Sequence, residues 1–362
     1  MKITKIIVAT IAAFAVNSIS FAGELAVTGS AKATYAIRSN DSTTSVSSGG
    51  KGIGIANEFS LSASGETDQG ISWAYAQDID GATVQDDAKL TLTHSTFGTF
   101  GIFVSEGGLS SKLKWDVSAY APGSDYGWTG NSSANHNAGA VVNGWTQGED
   151  IGGYNNFQYH TPAGFLPNDV SIKIAYAPTL SAGANNSSNA AGGATPTTVT
   201  GDDATQIQIS GAPIEGATLS ASYFKKGNQN VVIRQYEAGG LAGKYSMGPV
   251  SVGYSKFYVQ PLNEGSNAAI YTDHYENDSY GVSFNVNDAL SISYTHEKSE
   301  ANKETTTDAE VRSTVETEIT AIQAAYTMGG MTMSLASKEL ENMDYTTGVD
   351  GNETVFAVSL AF

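Results

Sequence analysis

Apolar residues recur at every second position along most of this chain, and this period restricts its fold more than any other feature. In the last eight residues, the large apolar side chains are Phe356, Val358, Leu360 and Phe362, and the residues between them are small. Successive residues of a β-strand point to opposite faces of a sheet, so the pattern predicts a strand with one large apolar face. Beyond the first 22 residues no stretch approaches 18 consecutive apolar residues, which excludes a helical membrane protein.

Sixteen segments repeat this period, and the joints between them alternate between short turns and longer polar stretches. The predicted strands begin near Glu24, Gly52, Gly70, Asp86, Thr99, Gly153, Asp169, Ala204, Ala217, Glu237, Val250, Asp273, Ala289, Arg312, Met331 and Glu353. An even strand count with short turns at one end and long loops at the other is typical of outer-membrane barrels. The sequence therefore predicts an all-β fold, a closed antiparallel transmembrane β-barrel of sixteen strands over residues 23–362.

The polar faces of these strands argue against a soluble β-sandwich, which also shows alternation. They consist of Ser, Thr, Gly and Ala, and charged residues make up only 15% of the chain. A soluble surface usually carries about 25–35% charged residues. A water-filled lumen lined by small polar side chains explains the composition better.

The first 22 residues have the layout of a secretory signal peptide. Lys2 and Lys5 precede an apolar run, and small residues at Ser20 and Ala22 favour cleavage before Gly23. The apolar run is too short to span a bilayer as a helix. We therefore expect an exported protein that is cleaved near Ala22.

Several functional classes are excluded by composition and motif. The chain has no Cys and a net charge of −18, which repels nucleic acid. No His pair with zinc spacing, no GxSxG and no phosphate-binding Gly-Lys-Ser/Thr motif occurs. We therefore expect no catalytic residues, no metal, no cofactor and no nucleic-acid partner, and hence no enzyme.

Two parts of the chain resemble outer-membrane barrel families. The terminal Phe362, with its alternating apolar residues, is similar to the last strand of Gram-negative outer-membrane proteins. The segments LTLTHSTFG (90–98), TFGIFVSEGG (99–108) and DIGGYNNFQYHTPAGF (150–165), with a very long connection between the second and third, resemble the trimeric general porin family. Glu106, Gly107 and Gly108 are similar to the acidic, Gly-rich start of that family's constriction loop. The Arg cluster of the family's lumen wall is absent, since the mature chain has only Arg38, Arg234 and Arg312.

The resemblance implies a homotrimer in the outer membrane of a Gram-negative bacterium, surrounded by lipid and lipopolysaccharide. It implies that Phe362 is an assembly signal for the barrel-assembly machinery. It also implies that residues 107–152 form a constriction loop that folds into the lumen. The apolar content of this segment, which includes Leu109, Trp115 and Trp128, independently favours packing against the barrel wall.

Strand phase and loop position together predict the charged residues of the pore. The clear strands show which alternate positions face the lumen. When this alternation is extended along each strand, Lys32, Arg38, Lys89 and Lys173 fall on the lumen side. The loop contributes Lys112, Lys114, Asp116 and Asp125, and the resemblance adds Glu106 at its start. Charges at a narrow point of a pore select ions by sign. The acidic runs 264–278 and 297–318 are expected near the strand tips, facing outwards, where they can meet divalent cations and lipopolysaccharide phosphates.

These observations predict a porin that lets small hydrophilic solutes and ions diffuse passively, with a weak preference for cations. Two alternatives stay open. A solute-selective channel would show an aromatic ladder in its lumen, and a structural or adhesive barrel would have a plugged lumen. A barrel hydrolase is disfavoured by the missing catalytic spacing.

Overall fold

The computed structural model forms one closed barrel of sixteen antiparallel strands, in which each strand pairs with its sequence neighbours. The structure describes residues 25–40, 50–80, 83–125, 147–180, 203–227, 235–261, 270–305 and 312–362. The predicted signal peptide lies outside the described residues. The predicted barrel and its sixteen strands are confirmed, and each predicted strand start falls within three residues of the observed one.

The strands, numbered in chain order, have the following bounds. They are β1 Leu25–Asn40, β2 Gly50–Glu66, β3 Ile71–Asp80, β4 Thr83–His94, β5 Gly98–Val104, β6 Asn156–His160, β7 Ser171–Ala177, β8 Asp203–Gly211, β9 Ala217–Gly227, β10 Glu237–Met247, β11 Val250–Gln260, β12 Ile270–Asn285, β13 Leu290–Thr305, β14 Arg312–Met328, β15 Met331–Glu341 and β16 Gly351–Ala361. Short 3-10 turns lie at Gly123–Asp125, Ile151–Gly153 and Met343–Tyr345. No helix within the described residues is long and apolar enough to cross a bilayer.

The barrel closes where β1 pairs with β16, and Phe362 completes this seam. The backbone of Phe362 accepts a hydrogen bond from the Gly29 N–H at 2.7 Å and donates one to the Gly29 carbonyl oxygen at 3.0 Å. Its ring lies 5.7 Å from the ring of Phe59 on β2, measured between centroids. A Cβ at position 29 would lie 2.7 Å from the Phe362 ring, so a larger residue there would displace this ring.

Most connections at one end of the barrel are short turns and most at the other end are longer, with two exceptions: the β6–β7 connection at the short-turn end spans 161–170, and the β3–β4 connection at the other end spans only 81–82. The tightest turns, between β10 and β11 and between β14 and β15, use Gly248 and Gly329 at positive φ. Glycine adopts this backbone conformation without the steric cost that a Cβ imposes. The longest connection follows β5 and runs from Ser105 to Asn155.

The outer face of the barrel is apolar along the part of the strands nearer the short turns, as a bilayer requires. Large side chains such as Val252, Tyr254, Val282 and Phe284 alternate outwards and are exposed in the isolated chain. The inner face is polar in many places, but not throughout. Towards the loop end of β7–β11, the inner face carries a buried apolar cluster that includes Ala175, Phe224, Phe257 and Val259. The alternation of residues along the strands does not by itself predict this cluster.

The expected outward orientation of the acidic run 297–318 is wrong for its first member. Glu297 lies on the inner face of β13 and is only 1% exposed, whereas His296 and Lys298 pair with carboxylates on the outer face. The period of two carries Glu297 into the barrel along with Ser293 and Thr295, because all three residues have the same parity.

Candidate functional site: the loop within the barrel

The long connection turns into the barrel immediately after β5. Ser105 and Gly107 have positive φ values of 54° and 83°, which reverse the chain direction at this point. Gln158 on β6 donates a hydrogen bond to the Gly107 carbonyl oxygen at 2.5 Å, and Glu106 forms an ion pair with Lys89 on β4. The sequence had assigned both Glu106 and Lys89 to the pore, and the structure brings them together.

Beyond this turn, the loop follows the inner wall and forms hydrogen bonds with side chains of successive strands. The Leu109 carbonyl oxygen accepts from Gln208 of β8 at 2.8 Å, and the Ser111 N–H donates to Ser222 of β9 at 2.8 Å. Further along, the Ala119 N–H donates to Ser293 of β13 at 2.8 Å. The small polar residues of the lumen face therefore satisfy the backbone groups of the loop in place of water.

Gln323 on β14 makes three of these bonds. Its side-chain oxygen accepts from the Tyr120 and Ala121 N–H groups at 2.9 Å and 3.1 Å, and its nitrogen donates to the Ala121 carbonyl oxygen at 2.6 Å. One amide side chain thus holds two consecutive loop residues against the wall.

Trp115 anchors the middle of the loop and is fully buried. Its backbone and indole ring lie against Gly253 of β11 and Gly281 of β12. A Cβ at position 253 would overlap the Trp115 carbonyl oxygen, and a Cβ at position 281 would crowd the indole ring. The wall therefore has two glycines where the loop comes closest to it.

The first described part of the loop ends on a buried ionic cluster. Glu297 accepts hydrogen bonds from both the backbone and the hydroxyl of Ser124. Beside it, the Lys338 ammonium lies 2.9 Å from Glu353 and donates to the Gly123 carbonyl oxygen at 3.2 Å. Arg38 contacts the other oxygen of Glu353 at 2.5 Å, so β1, β15 and β16 all contribute to the anchor.

Residues 126–146 lie outside the described residues, but the two ends that flank them meet. The Gln147 side chain donates to the Ser124 hydroxyl at 2.7 Å, and the Lys112 ammonium donates to the Gly148 carbonyl oxygen at 3.1 Å. The returning chain therefore packs on the outgoing one. The prediction of an inward-folded loop is confirmed for the described residues.

The returning chain is held by a second buried ion pair. Glu149 lies 2.5 Å from Lys226 of β9, accepts from the Tyr154 hydroxyl, and donates its backbone N–H to the Tyr236 hydroxyl oxygen at 2.6 Å. Burial, reinforced by the Glu149 carboxylate, raises the pKa of both tyrosines well above the usual range. Both phenols therefore stay protonated at any physiological pH.

The remaining predicted site residues occupy different environments. Lys32 lies over the Tyr120 ring at 5.7 Å, and the Asp116 carboxylate accepts from the Ser118 N–H at 2.8 Å. Lys114 is exposed on the loop, and Lys173 is half-buried on β7. Asp125 closes the first 3-10 turn, and its side chain lies outside the described atoms. Their roles as pore-lining groups stay predictions.

Sequence reasoning missed several inward-facing charges of the wall. Glu58 and Asp78 face inwards from β2 and β3, because they pair in register with Ser30 and Ser60 of the lumen face. Lys244 of β10 is in register with Gly253, the glycine that lies against the Trp115 backbone. The same period of two predicts all three orientations once it is extended from the clear parts of each strand.

Within the described residues, no group of three or more His, Asp or Glu side chains is arranged to hold a metal ion. Five of the described carboxylates inside the barrel are paired with lysines, arginine or hydroxyls instead: Asp78, Glu106, Glu149, Glu297 and Glu353. The arrangement is therefore suited to shaping and charging a passage.

No protein-family model matches the sequence, and no curated protein matches it by sequence. Solved structures do match. OmpF of Salmonella typhi, in complex with daunomycin, superposes with a TM-score of 0.60 at 11% identity, covering 95% of this chain and 100% of that chain. A loop-deletion mutant of the Vibrio cholerae outer-membrane protein OmpT gives 0.60 at 11% identity, covering 94% and 100%. The outer-membrane channel DcaP of Acinetobacter baumannii gives 0.56 at 12% identity, covering 96% and 100%.

At these identities the likeness establishes the fold. The chain has the sixteen-stranded barrel of the outer-membrane porins over nearly its whole length, as the sequence resemblance implied.

Proposed function

We propose that this protein is an outer-membrane porin, a water-filled channel through which small hydrophilic solutes and ions diffuse passively. The observation that carries the proposal is the loop pinned along the inner wall from β8 to β14, inside a barrel whose outer face is apolar. A wide barrel needs no internal loop for stability alone, whereas a channel needs one to limit the size of its solutes. The structural likeness to a porin and to an outer-membrane channel supports the same function.

Conductance of the purified protein in a planar bilayer tests this proposal. We expect stepwise, ohmic openings and faster swelling of proteoliposomes in small sugars than in large ones. Bilayers that stay silent, with correctly folded protein inserted, would favour the plugged barrel.

We propose a weak preference for cations. The described part of the lumen carries charges of both signs, with Glu58 and Asp78 on β2 and β3, Asp116 on the loop, and Lys32, Lys173 and Lys244 on other strands. The net charge of the whole chain is −18, which attracts cations to the two mouths of the pore. At physiological salt this attraction is screened beyond about 8 Å. The preference should therefore grow as salt is diluted.

We also propose a homotrimer, because the outer surface of the barrel has two different sides. On the loop side of the aromatic residues of β11–β14, the outer face carries ion pairs such as Lys256 with Glu276 and Lys298 with Glu316. These charged groups suit contact with the headgroups of outer-membrane lipid and lipopolysaccharide. The face of β1 and β2 carries aliphatic side chains at the loop end instead, with Ile53 86% and Ile55 74% exposed. Such a patch suits a second copy of the chain better than it suits water. Conductance steps in groups of three support the trimer, and single steps of one size contradict it.

A further inference from the structure

We propose that residues 342–350, the last connection of the barrel, position the end of the long loop inside the pore. This connection joins β15 to β16, and Tyr345 is its positioning residue. The inference deepens the proposed channel function, because a loop that is held in one place gives the pore one bore.

The first argument is the path of the last connection, which folds into the barrel. Its residues Met343 and Tyr345 are only 6% and 8% exposed. The Tyr345 hydroxyl shares a hydrogen bond with the Ser299 hydroxyl of β13 at 2.6 Å. Its ring lies 5.1 Å from the ring of Tyr275 on β12, measured between centroids. The last connection therefore reaches past β14 to two further strands.

The second argument is the backbone conformation of Tyr345. Its φ value is 52°, in the left-handed region that a residue with a large side chain rarely adopts. Such a conformation persists only where surrounding contacts fix it. Here the Tyr345 N–H donates to the Thr317 hydroxyl oxygen of β14 at 3.2 Å, and the same hydroxyl donates to the Asn342 carbonyl oxygen at 2.8 Å. One wall side chain thus holds both ends of the 3-10 turn.

The third argument is the arrangement of inner-face residues in two neighbouring rows. Register places Glu297, Ile319 and Leu340 side by side on β13, β14 and β15. Ser299 and Thr317 form the next row towards the loop end of the barrel. The end of the long loop is attached to the first row, and the last connection is attached to the second.

The loop and the last connection pack against the same buried side chain. Gly123 of the loop lies so close to Ile319 that a Cβ at position 123 would be 2.6 Å from the Cγ2 atom. Ile319 also packs with Leu340 and Met343 in a buried apolar cluster, to which Val349 adds a partly buried side chain. A change in the packing of the last connection should therefore reach the end of the loop through Ile319.

The apolar cluster lies beside the ionic anchor of the loop, whose groups are also dry. Glu297, Lys338 and Glu353 are each only 1% exposed. Hydrogen bonds to a charged group are stronger where water is excluded. Loss of the Tyr345 side chain should admit water and weaken the bonds that Glu297 accepts from Ser124.

Amide hydrogen exchange tests this coupling directly. Exchange of residues 119–125 is measured by mass spectrometry in the folded protein in detergent. Tyr345→Ala removes the ring and the hydroxyl, and Tyr345→Phe removes only the hydroxyl. Tyr326→Ala removes a tyrosine from the outer face of the same strand β14 and is the control.

We expect Tyr345→Ala to accelerate exchange of residues 119–125 about tenfold, and Tyr345→Phe about threefold, from the weakening of buried hydrogen bonds. Tyr326→Ala should leave the rate at its wild-type value. A wild-type rate in folded Tyr345→Ala would overturn the inference, even if residues 342–350 themselves exchange faster. If the alanine variant does not fold, Tyr345→Phe decides the question in the same way.

The outcome is independent of the proposed channel function, because exchange needs no conductance. A silent bilayer together with accelerated exchange would refute the channel and support the positioning role. Ordinary conductance together with unchanged exchange would support the channel and refute the positioning role.

Discussion

Replacing Trp115 by alanine should free the loop from the wall while leaving the barrel intact. Trp115 is fully buried between the loop and two wall glycines, so its loss leaves a cavity that the rigid sheet cannot fill. Truncations of buried Trp or Phe to Ala typically cost about 3–5 kcal/mol. No barrel hydrogen bond depends on this side chain, so the cost falls on loop attachment.

This free-energy cost determines how often the loop detaches from the wall. A loss of about 3–5 kcal/mol raises the ratio of detached to attached loop roughly a hundred- to several-thousand-fold. A state that is rare in the wild type should then become visible in single-channel records. We expect Trp115→Ala to show excursions to higher conductance and greater open-channel noise than the wild type.

Trp73→Ala is the matched control, because Trp73 packs on Gly65 between β2 and β3 and has no loop contact in the described structure. It removes the same side chain from the wall itself. The electrophoretic mobility shift on heating reports whether each variant still forms a barrel. Wild-type conductance and noise in a folded Trp115→Ala channel would refute the assignment of the loop to the inner wall.

Four further perturbations test other parts of the structure. Deleting Phe362 should lower the amount of folded protein in the outer membrane, because it removes the last pair of hydrogen bonds between β1 and the C-terminus and the proposed assembly signal. The folded fraction is measured by heat modifiability, and unchanged assembly kinetics would contradict this prediction. Shortening the loop between Gly108 and Gly148 should raise conductance and admit larger sugars in swelling assays, and wild-type values for both would place the size limit elsewhere. Glu297→Ala should increase current noise by leaving Ser124 without its acceptor, at about 1–3 kcal/mol, whereas Glu297→Gln should be milder. Combining Glu58→Gln with Asp78→Asn should reduce the cation preference in reversal potentials under a KCl gradient, most clearly in dilute salt; an unchanged potential would mean that the ions do not pass these carboxylates.

The strands were predictable because their signal is local. A period of two fixes the orientation of each side chain once a few large apolar residues set the phase, and this holds even for Glu58 and Asp78, which face inwards as their parity requires. Glu297 was misassigned only because its acidic neighbours were taken as one outward-facing run. Its parity with Ser293 gives the right answer.

The partners of these side chains were not predictable, because they depend on pairings that are distant in sequence. Arg38 meets Glu353 across 315 positions, and Tyr120 meets Gln323 across 203. The closing register of β1 on β16 creates the first pair, and the path of the loop creates the second. The apolar cluster on the inner face of β7–β11 was missed for the same reason, since small residues such as Ala175 and Ala238 become a core only when Leu109 and Ile151 arrive from the loop.

The attachment of the loop also implies an order of events during assembly. Apart from Lys32 of β1, which lies over the Tyr120 ring, the wall contacts described above for residues 109–124 lie on strands made later in the chain, and the final anchor needs β15 together with β16. Contacts of such long sequence separation are slow to form, because the intervening chain must first be ordered. We therefore expect the loop to reach its resting place only after the last strand has paired with the first, so that a newly closed barrel passes through a stage with a wider bore than the finished one.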